Sequence, residues 1–375
     1  MPIPLPDASA AELPAPDLDE VIHITRGLKT AMSPPAGLSE LQHDVLVAIT
    51  VSMTGHELDL DSLEPLDATS FAAGLAHRDL RFRTEMVQLM DLGHMLLPDP
   101  DPHVADAVVE YAAELSVDTG IVAKAQELAA GSAELVAADI DRAGYITKLD
   151  LSGFTPLRSA DDNIEAWTST AINDELAGRW TALGDLPPGS LGRAVHDFYR
   201  ARGFNFPGRP SSAPPLLAQH DWVHVLADYG SQLESEIEVF AFMARASDDP
   251  EAFALLGMAI TLFHTGLLPS AAGFFEADGG NMHKDGMPVR LGDAFRRGAL
   301  TNGSIDFIGL DYFSIADRPI DDVRDELGIV PKSETAIAAG STGPFEPGGI
   351  SETQIAMGTA MAEREGRPYD AFGAV

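Results

Sequence analysis

The sequence predicts an all-α protein of two helical bundle domains with disordered N- and C-terminal tails. Three observations carry that expectation. Apolar residues recur at three- and four-residue spacing through most of the chain, cap residues stand in front of those runs, and the connections between them are short. At 375 residues with 45% hydrophobic content, the chain also has the material for two cores.

Residues 1–18 read as a flexible tail, because five prolines among small and acidic residues bury too little surface to order the backbone. Residues 19–145 read as the first bundle. Ser39, Glu40, Leu41 and Gln42 have the spacing of a capping box, with Leu41, Val45, Leu46, Ile49 and Met53 behind it on one face and Gly55 as the stop. Asp67 leads into a helix through Phe71, a further apolar repeat runs over 83–95, and Asp101-Pro102 places a cap before a proline at the first helical position. An alanine-rich helix is expected over 119–139. In outline this unit resembles the helical tellurite-resistance TerB-like bundles, and it contains no motif that assigns a function.

Periodicity weakens after Gly144, so 146–165 is the expected linker and 166–331 the second domain. Within it, helices are expected over 165–180, from a Ser190 cap to a stop at Gly203, around residue 220, over 231–246, over 291–300 and from Pro319 through Leu327. Residues 252–275 carry no Asp, Glu, Lys or Arg. Gly257, Thr261, His264, Gly266 and Pro269 interrupt this stretch and no basic flank accompanies it, so a buried helix is expected rather than a membrane span. Residues 305–313 are expected to be extended. Residues 332–375, rich in Gly, Ser, Thr and Pro, are expected to form a tail with one short helix over 351–365.

The chemistry concentrates at His220-Asp221-Trp222-Val223-His224, followed after eleven residues by Glu236. On a helix, positions 220 and 224 lie one turn apart and 221 sits about 60° round from 224, so three donors share a face. A straight helix would carry Glu236 roughly 18 Å from His224, too far to share one ion. The chain must therefore turn back, and Asp228-Tyr229-Gly230-Ser231 supplies the turn, with Gly230 expected to take the left-handed conformation and Ser231 to cap the second helix. The predicted result is a two-helix corner in which His220, Asp221, His224 and Glu236 hold a divalent metal. Two nitrogens and at least two oxygens suit zinc and tolerate iron, manganese or cobalt.

Composition limits the rest. Twenty-four basic against 58 acidic residues give a net charge of −34, which repels phosphate backbones and anionic lipid, so nucleic acid is not an expected partner and membrane contact is peripheral at most. With no cysteine, thiolate sites, thiol nucleophiles and disulfides are excluded. The N-terminus lacks the basic start and apolar core of a targeting segment, which makes the cytoplasm the expected location.

His-Asp-x-x-His, eleven residues and Glu resembles the metal signature of the Coq-four family of coenzyme Q (ubiquinone) biosynthesis proteins. Leu186-Pro187-Pro188-Gly189-Ser190-Leu191-Gly192-Arg193 with Asp197-Phe198 is similar to the family's turn and helix upstream. Phe295 to Ala299, Ile308 to Tyr312 and Arg324 to Ile329 are similar to its C-terminal end, with Tyr312 where tryptophan is more usual. The resemblance spans about 170–331. It implies an all-helical fold, a metal usually taken to be zinc, and a hydrophobic channel for a prenyl tail, for which 252–275 is a candidate. It also implies a role in ubiquinone synthesis, as an oxidative decarboxylase of the prenylated ring or as a scaffold that presents the lipid. Expected partners are then a prenylated quinone precursor, other biosynthetic enzymes and, in a homodimer, a second copy of the chain. Arg193, Arg296 and Arg297 are the basic residues nearest these motifs, suited either to an anionic headgroup or to ion pairs at helix ends. His220-Asp221 alone also suits an HD-type metal-dependent phosphohydrolase, with His196 and Asp248 as the further ligands that class needs.

Overall fold

Side-chain caps and amphipathic faces set the helices of the computed structural model, which describes residues 15–97, 101–118, 172–215, 217–247 and 280–372, with positions 253, 256, 257, 259, 260, 263 and 264. Among the described residues there are thirteen α-helices and no sheet, so the fold is all-α. Helix α1 (Leu18–Met32) starts behind Asp17, whose carboxylate accepts the Glu20 N–H. The capping box at α2 (Glu40–Thr54) is reciprocal: Ser39 Oγ accepts from the Gln42 amide, Gln42 Oε1 accepts from the Ser39 amide, and Gly55 closes the helix. Asp67, Asp79 and Asp101 cap α3 (Ala68–Gly74), α4 (Leu80–Met95) and α5 (Pro102–Glu114). Each such cap stabilises its helix by about 1 kcal/mol. Helix α4 begins three residues ahead of the apolar repeat, because the repeat marks the buried face and the cap marks the start.

The remaining helices are α6 (Asp174–Ala182), α7 (Leu191–Arg202), α8 (Gln219–Leu226), α9 (Leu233–Ala246), α10 (Met287–Ala299), α11 (Ile320–Leu327), α12 (Glu334–Ala338) and α13 (Glu352–Glu365). Ser190 stands at the N-cap position of α7, but its hydroxyl donates to Pro187 O in the preceding turn instead of capping. The helix expected over 119–139, the linker over 146–165 and most of 252–275 lie outside the described residues. Within 252–275, Phe253, Leu256, Ala259, Ile260 and Phe263 are helical and buried. No helix among the described residues is long and apolar enough to cross a membrane.

Helix α10 joins the N-terminal helices to the later ones. It packs against α2 on one side and α9 on the other. A Cβ on Gly292 would stand 2.7 Å from Ala48 O of α2, so α10 reaches the α2 backbone only because position 292 has no side chain. One contiguous apolar core runs from Leu28 to Ile329. Two buried ion pairs tie the same layer together: Glu85 of α4 with Arg245 of α9, and Glu238 of α9 with Arg290 of α10 at 2.5 Å.

Two expectations change. Residues 305–313 are not extended: Asp306 Oδ1 accepts the Ile308 and Gly309 amides, and a 3₁₀ turn follows at Tyr312–Ser314, so a local side-chain acceptor folds the apolar run into turns. Residues 332–372 do not form a disordered tail. Helix α13 has its own capping box at Ser351 and Gln354 and packs on α7, where Tyr369 Oη donates to Ala201 O. The glycines that suggested a tail permit close backbone approach, as the corner at 230 shows.

Glu85 and Arg245 are both buried, so Glu85→Ala is expected to destabilise the protein by about 3–5 kcal/mol, much of it from stranding Arg245. The double variant Glu85→Leu/Arg245→Met should recover most of that in urea unfolding. Asp91 of α4 is 2% exposed, and burial raises its carboxyl from 3.8 to about 7. Because the folded value lies above the unfolded one, the native state holds the proton more tightly, and this residue's contribution to stability falls as pH rises from about 4 to 7. Asp91→Asn should therefore be more stable than wild type at pH 8, by on the order of a few kcal/mol, with the advantage shrinking toward pH 4.

Candidate metal centre

Helices α7, α8 and α9 meet at the corner that the spacing of the motif requires. His220, Asp221 and His224 lie on α8, with 1%, 0% and 0% exposure, and Glu236 faces them from the first turn of α9 at 6%. The chain reverses between 226 and 233 by a different device from the one expected. Asp228, not Gly230, takes the left-handed conformation, with φ 60°, and Lys332 Nζ binds its carbonyl at 2.6 Å. Aspartate is one of the few side chains that adopt this conformation at small cost. The α9 N-cap position falls on Gln232 and carries no side-chain cap. Gly230 is required for a separate reason. A Cβ there would lie 2.7 Å from Gly349 Cα and O, where the C-terminal segment runs against the turn and Gly230 N–H donates to Thr342 O. Ser231 does not cap: its hydroxyl donates to Gln354 Oε1 and accepts from the buried Arg202 Nε at 2.5 Å.

The imidazole tautomers follow from their partners. His220 Nδ1 lies 2.5 Å from Leu217 O and His224 Nδ1 2.6 Å from Gly230 O. A carbonyl oxygen only accepts, so both Nδ1 atoms carry hydrogen, and in the neutral rings both Nε2 atoms present lone pairs. These point at one carboxylate: Glu236 Oε2 is 3.2 Å from His224 Nε2 and 3.4 Å from His220 Nε2. Lone pairs aimed at an anion inside a buried corner repel unless a cation stands among them.

A metal meets that need, and the donor set fits one. Tetrahedral zinc with bonds near 2.0–2.1 Å has ligand–ligand edges of about 3.3 Å. The two observed N···O separations match those edges. Asp221 Oδ1 stands 3.7 Å from His220 Nε2, and the ligand atoms of His220, Asp221 and His224 fall within 4.8 Å of one another. Two carboxylates and two neutral imidazoles sum to −2, which balances a divalent ion. His220, Asp221 and His224 are therefore grouped, and Glu236 Oε2 reaches their two imidazoles from α9 while standing outside that group of three.

The supporting shell was not visible in the motif. Tyr199 of α7 donates its hydroxyl to Asp221 Oδ2 at 2.5 Å, aiming the other oxygen toward His220. Phe240 stacks on His220 with rings 5.5 Å apart, and Phe198 stacks on His224 at the same separation. Arg202 lies over the Phe198 ring at 3.6 Å and binds Pro344 O and Gly349 O, coupling the imidazole wall to the C-terminal segment. Tyr199 and Arg202 fall on the buried stripe of a helix ending at Gly203, which marks them as packing residues and gives no hint of their hydrogen bonds. Tyr312 stacks on Trp222 at 5.0 Å, nearly parallel, and its hydroxyl donates to Phe307 O.

The remaining candidates have structural engagements. Arg193 binds Asp197 at 2.9 Å, Arg296 binds Asp293 at 2.9 Å, and Arg297 donates to Val330 O beneath the Tyr229 ring. His196 pairs with Asp197 at 3.0 Å and packs at a tilt against Phe206, outside the metal cluster of the described residues, and Asp248 lies outside those residues. No protein-family model and no curated protein sequence matches the chain. A solved structure of a protein from Nostoc punctiforme, provisionally assigned to ubiquinone biosynthesis, aligns over 66% of this chain and 97% of its own, at 18% identity and a TM-score of 0.29. Similarity at that level carries no argument about function.

Gly230→Ala tests the C-terminal buttress. It is expected to cost about 2 kcal/mol through steric displacement, and to raise amide exchange at Gly230 and Ser231, whose N–H groups bind Thr342 O and Gly349 O.

Proposed function

We propose that His220, Asp221, His224 and Glu236 hold a divalent metal, zinc by donor type, and that the protein acts on or presents a prenylated aromatic precursor in quinone biosynthesis. The observation that carries the metal assignment is the convergence of two tautomer-locked Nε2 atoms on Glu236 Oε2 at 3.2 and 3.4 Å. The pathway assignment is supported by the His-Asp-x-x-His…Glu signature and by the two flanking stretches that resemble the Coq-four family. A bound ion would supply Lewis acidity to a ring carboxylate or a neighbouring oxygen.

The chain's own residues define how such a site behaves. Leu217 O and Gly230 O fix both imidazoles, Tyr199 orients Asp221, and the aromatic rings of Phe198 and Phe240 exclude water from the ligands. If all four donors bind, the centre is closed and structural; if one carboxylate releases, a position opens to substrate or water. The first arrangement suits a scaffold that presents lipid, and the second a ring decarboxylase, for which dioxygen would serve as the oxidant because zinc exchanges no electrons.

Elemental analysis of purified wild type beside His224→Ala and Glu236→Ala tests the centre. One equivalent of metal is expected in wild type and strong depletion in both variants; stoichiometric metal in the variants would falsify the site. Incubating loaded wild type with a prenylated hydroxybenzoate then separates the two roles: loss of the carboxyl group marks the enzyme, and unaltered ligand recovered in complex marks the scaffold.

A further inference from the structure

Away from the metal corner, α1, α2 and α4 enclose an apolar recess with about 630 Å³ of empty space, its open mouth included. Val21, Leu28, Ile49, Met53, Phe82 and Met86 are among its walls. The polar groups in it are one-sided. Thr25, Thr50 and Thr54 also line it, and each hydroxyl proton is donated to the residue's own helix, to Val21 O, Leu46 O and Thr50 O at 2.8, 2.7 and 2.6 Å. These side chains therefore offer the recess acceptors only.

Glu85 completes the lining. It is 4% exposed, its Oε1 is paired with Arg245, and its Oε2 has no hydrogen-bond partner among the described residues. A buried acceptor without a donor is destabilising, and more so when it is charged. The apolar walls supply no donor, and Arg245 Nε on the other side of the pair is likewise without a partner among the described residues, so a ligand hydroxyl, which donates as well as accepts, relieves that cost while its chain covers the walls. Arg245 already balances the Glu85 charge, so an added cation gains little, and an anionic head would face the carboxylate. A neutral O–H fits both conditions.

We propose that this recess binds a neutral single-chain amphiphile, with its hydroxyl head donating to Glu85 Oε2 and its aliphatic chain lying among α1, α2 and α4. The site uses none of the metal ligands and does not depend on the quinone reading.

The test uses the full chain, ¹³C-labelled at the methionine methyls, with 1-decanol and decanoate as probes at pH 8, where both carboxylates are charged. Decanol is expected to shift the Met53 and Met86 signals saturably, and decanoate to bind about tenfold more weakly or worse. Met53→Trp, which fills the recess, should weaken decanol by about tenfold or more while leaving metal content unchanged. No saturable shift, equal affinity for the two heads, or undiminished decanol binding in Met53→Trp overturns the assignment. If Met53→Trp does not fold, the head-group comparison in wild type decides alone.

Discussion

Two imidazole nitrogens aimed at one buried carboxylate oxygen set the terms for the second half of this protein. The arrangement is electrostatically unfavourable without a cation between the groups, and each ring is held in it by a backbone carbonyl that removes its freedom to turn away. Such a convergence requires rigid support, because a rotation of either ring or a shift of α9 would relieve the repulsion. The surrounding structure supplies that support from three directions: α7 through Tyr199 and Phe198, α9 through Phe240, and the C-terminal segment through its contacts with the turn at 230.

The C-terminal segment is a structural part of the centre. Arg202 is fully buried, yet it binds Ser231 Oγ and two carbonyls of the segment and stacks on Phe198, which stacks on His224. A guanidinium in such a place needs several acceptors to offset its desolvation, and residues 344–349 provide backbone ones. Glycine at 230 and 349 lets the two backbones touch. Disturbing either strand of this contact therefore reaches the imidazole within two side chains.

The N-terminal helices are joined to this region through α10 and through the Glu85–Arg245 pair, with one continuous core beneath them. Arg245 belongs to the same helix as Glu236, so the ion pair links Glu85, which lines the apolar recess, to the helix that carries one side of the candidate metal corner. Their chemistries differ: the recess offers acceptors in an apolar wall, and the corner offers ligands to a cation.

Much was legible in sequence wherever the determinant was local. Capping residues at 39, 67 and 101 announce helix starts because a side chain two or three residues from an amide closes its own hydrogen bond. The His-Asp-x-x-His spacing and the distance to Glu236 were enough to require a corner. Local composition misled at 305–313, where Asp306 folds an apolar run into turns, and at 332–372, where glycine-rich chain is packed. The choice of Asp228 over Gly230 for the left-handed position was also hidden, since it rests on Lys332, 104 residues away. The sequence by itself determined the all-α class, several helix starts and the four candidate ligands, because helical periodicity, capping and ligand spacing act within a few residues. Only the tertiary structure decided which tautomers the histidines hold, what aims Asp221 and what braces the turn, because those depend on carbonyls, rings and a guanidinium brought together from distant parts of the chain.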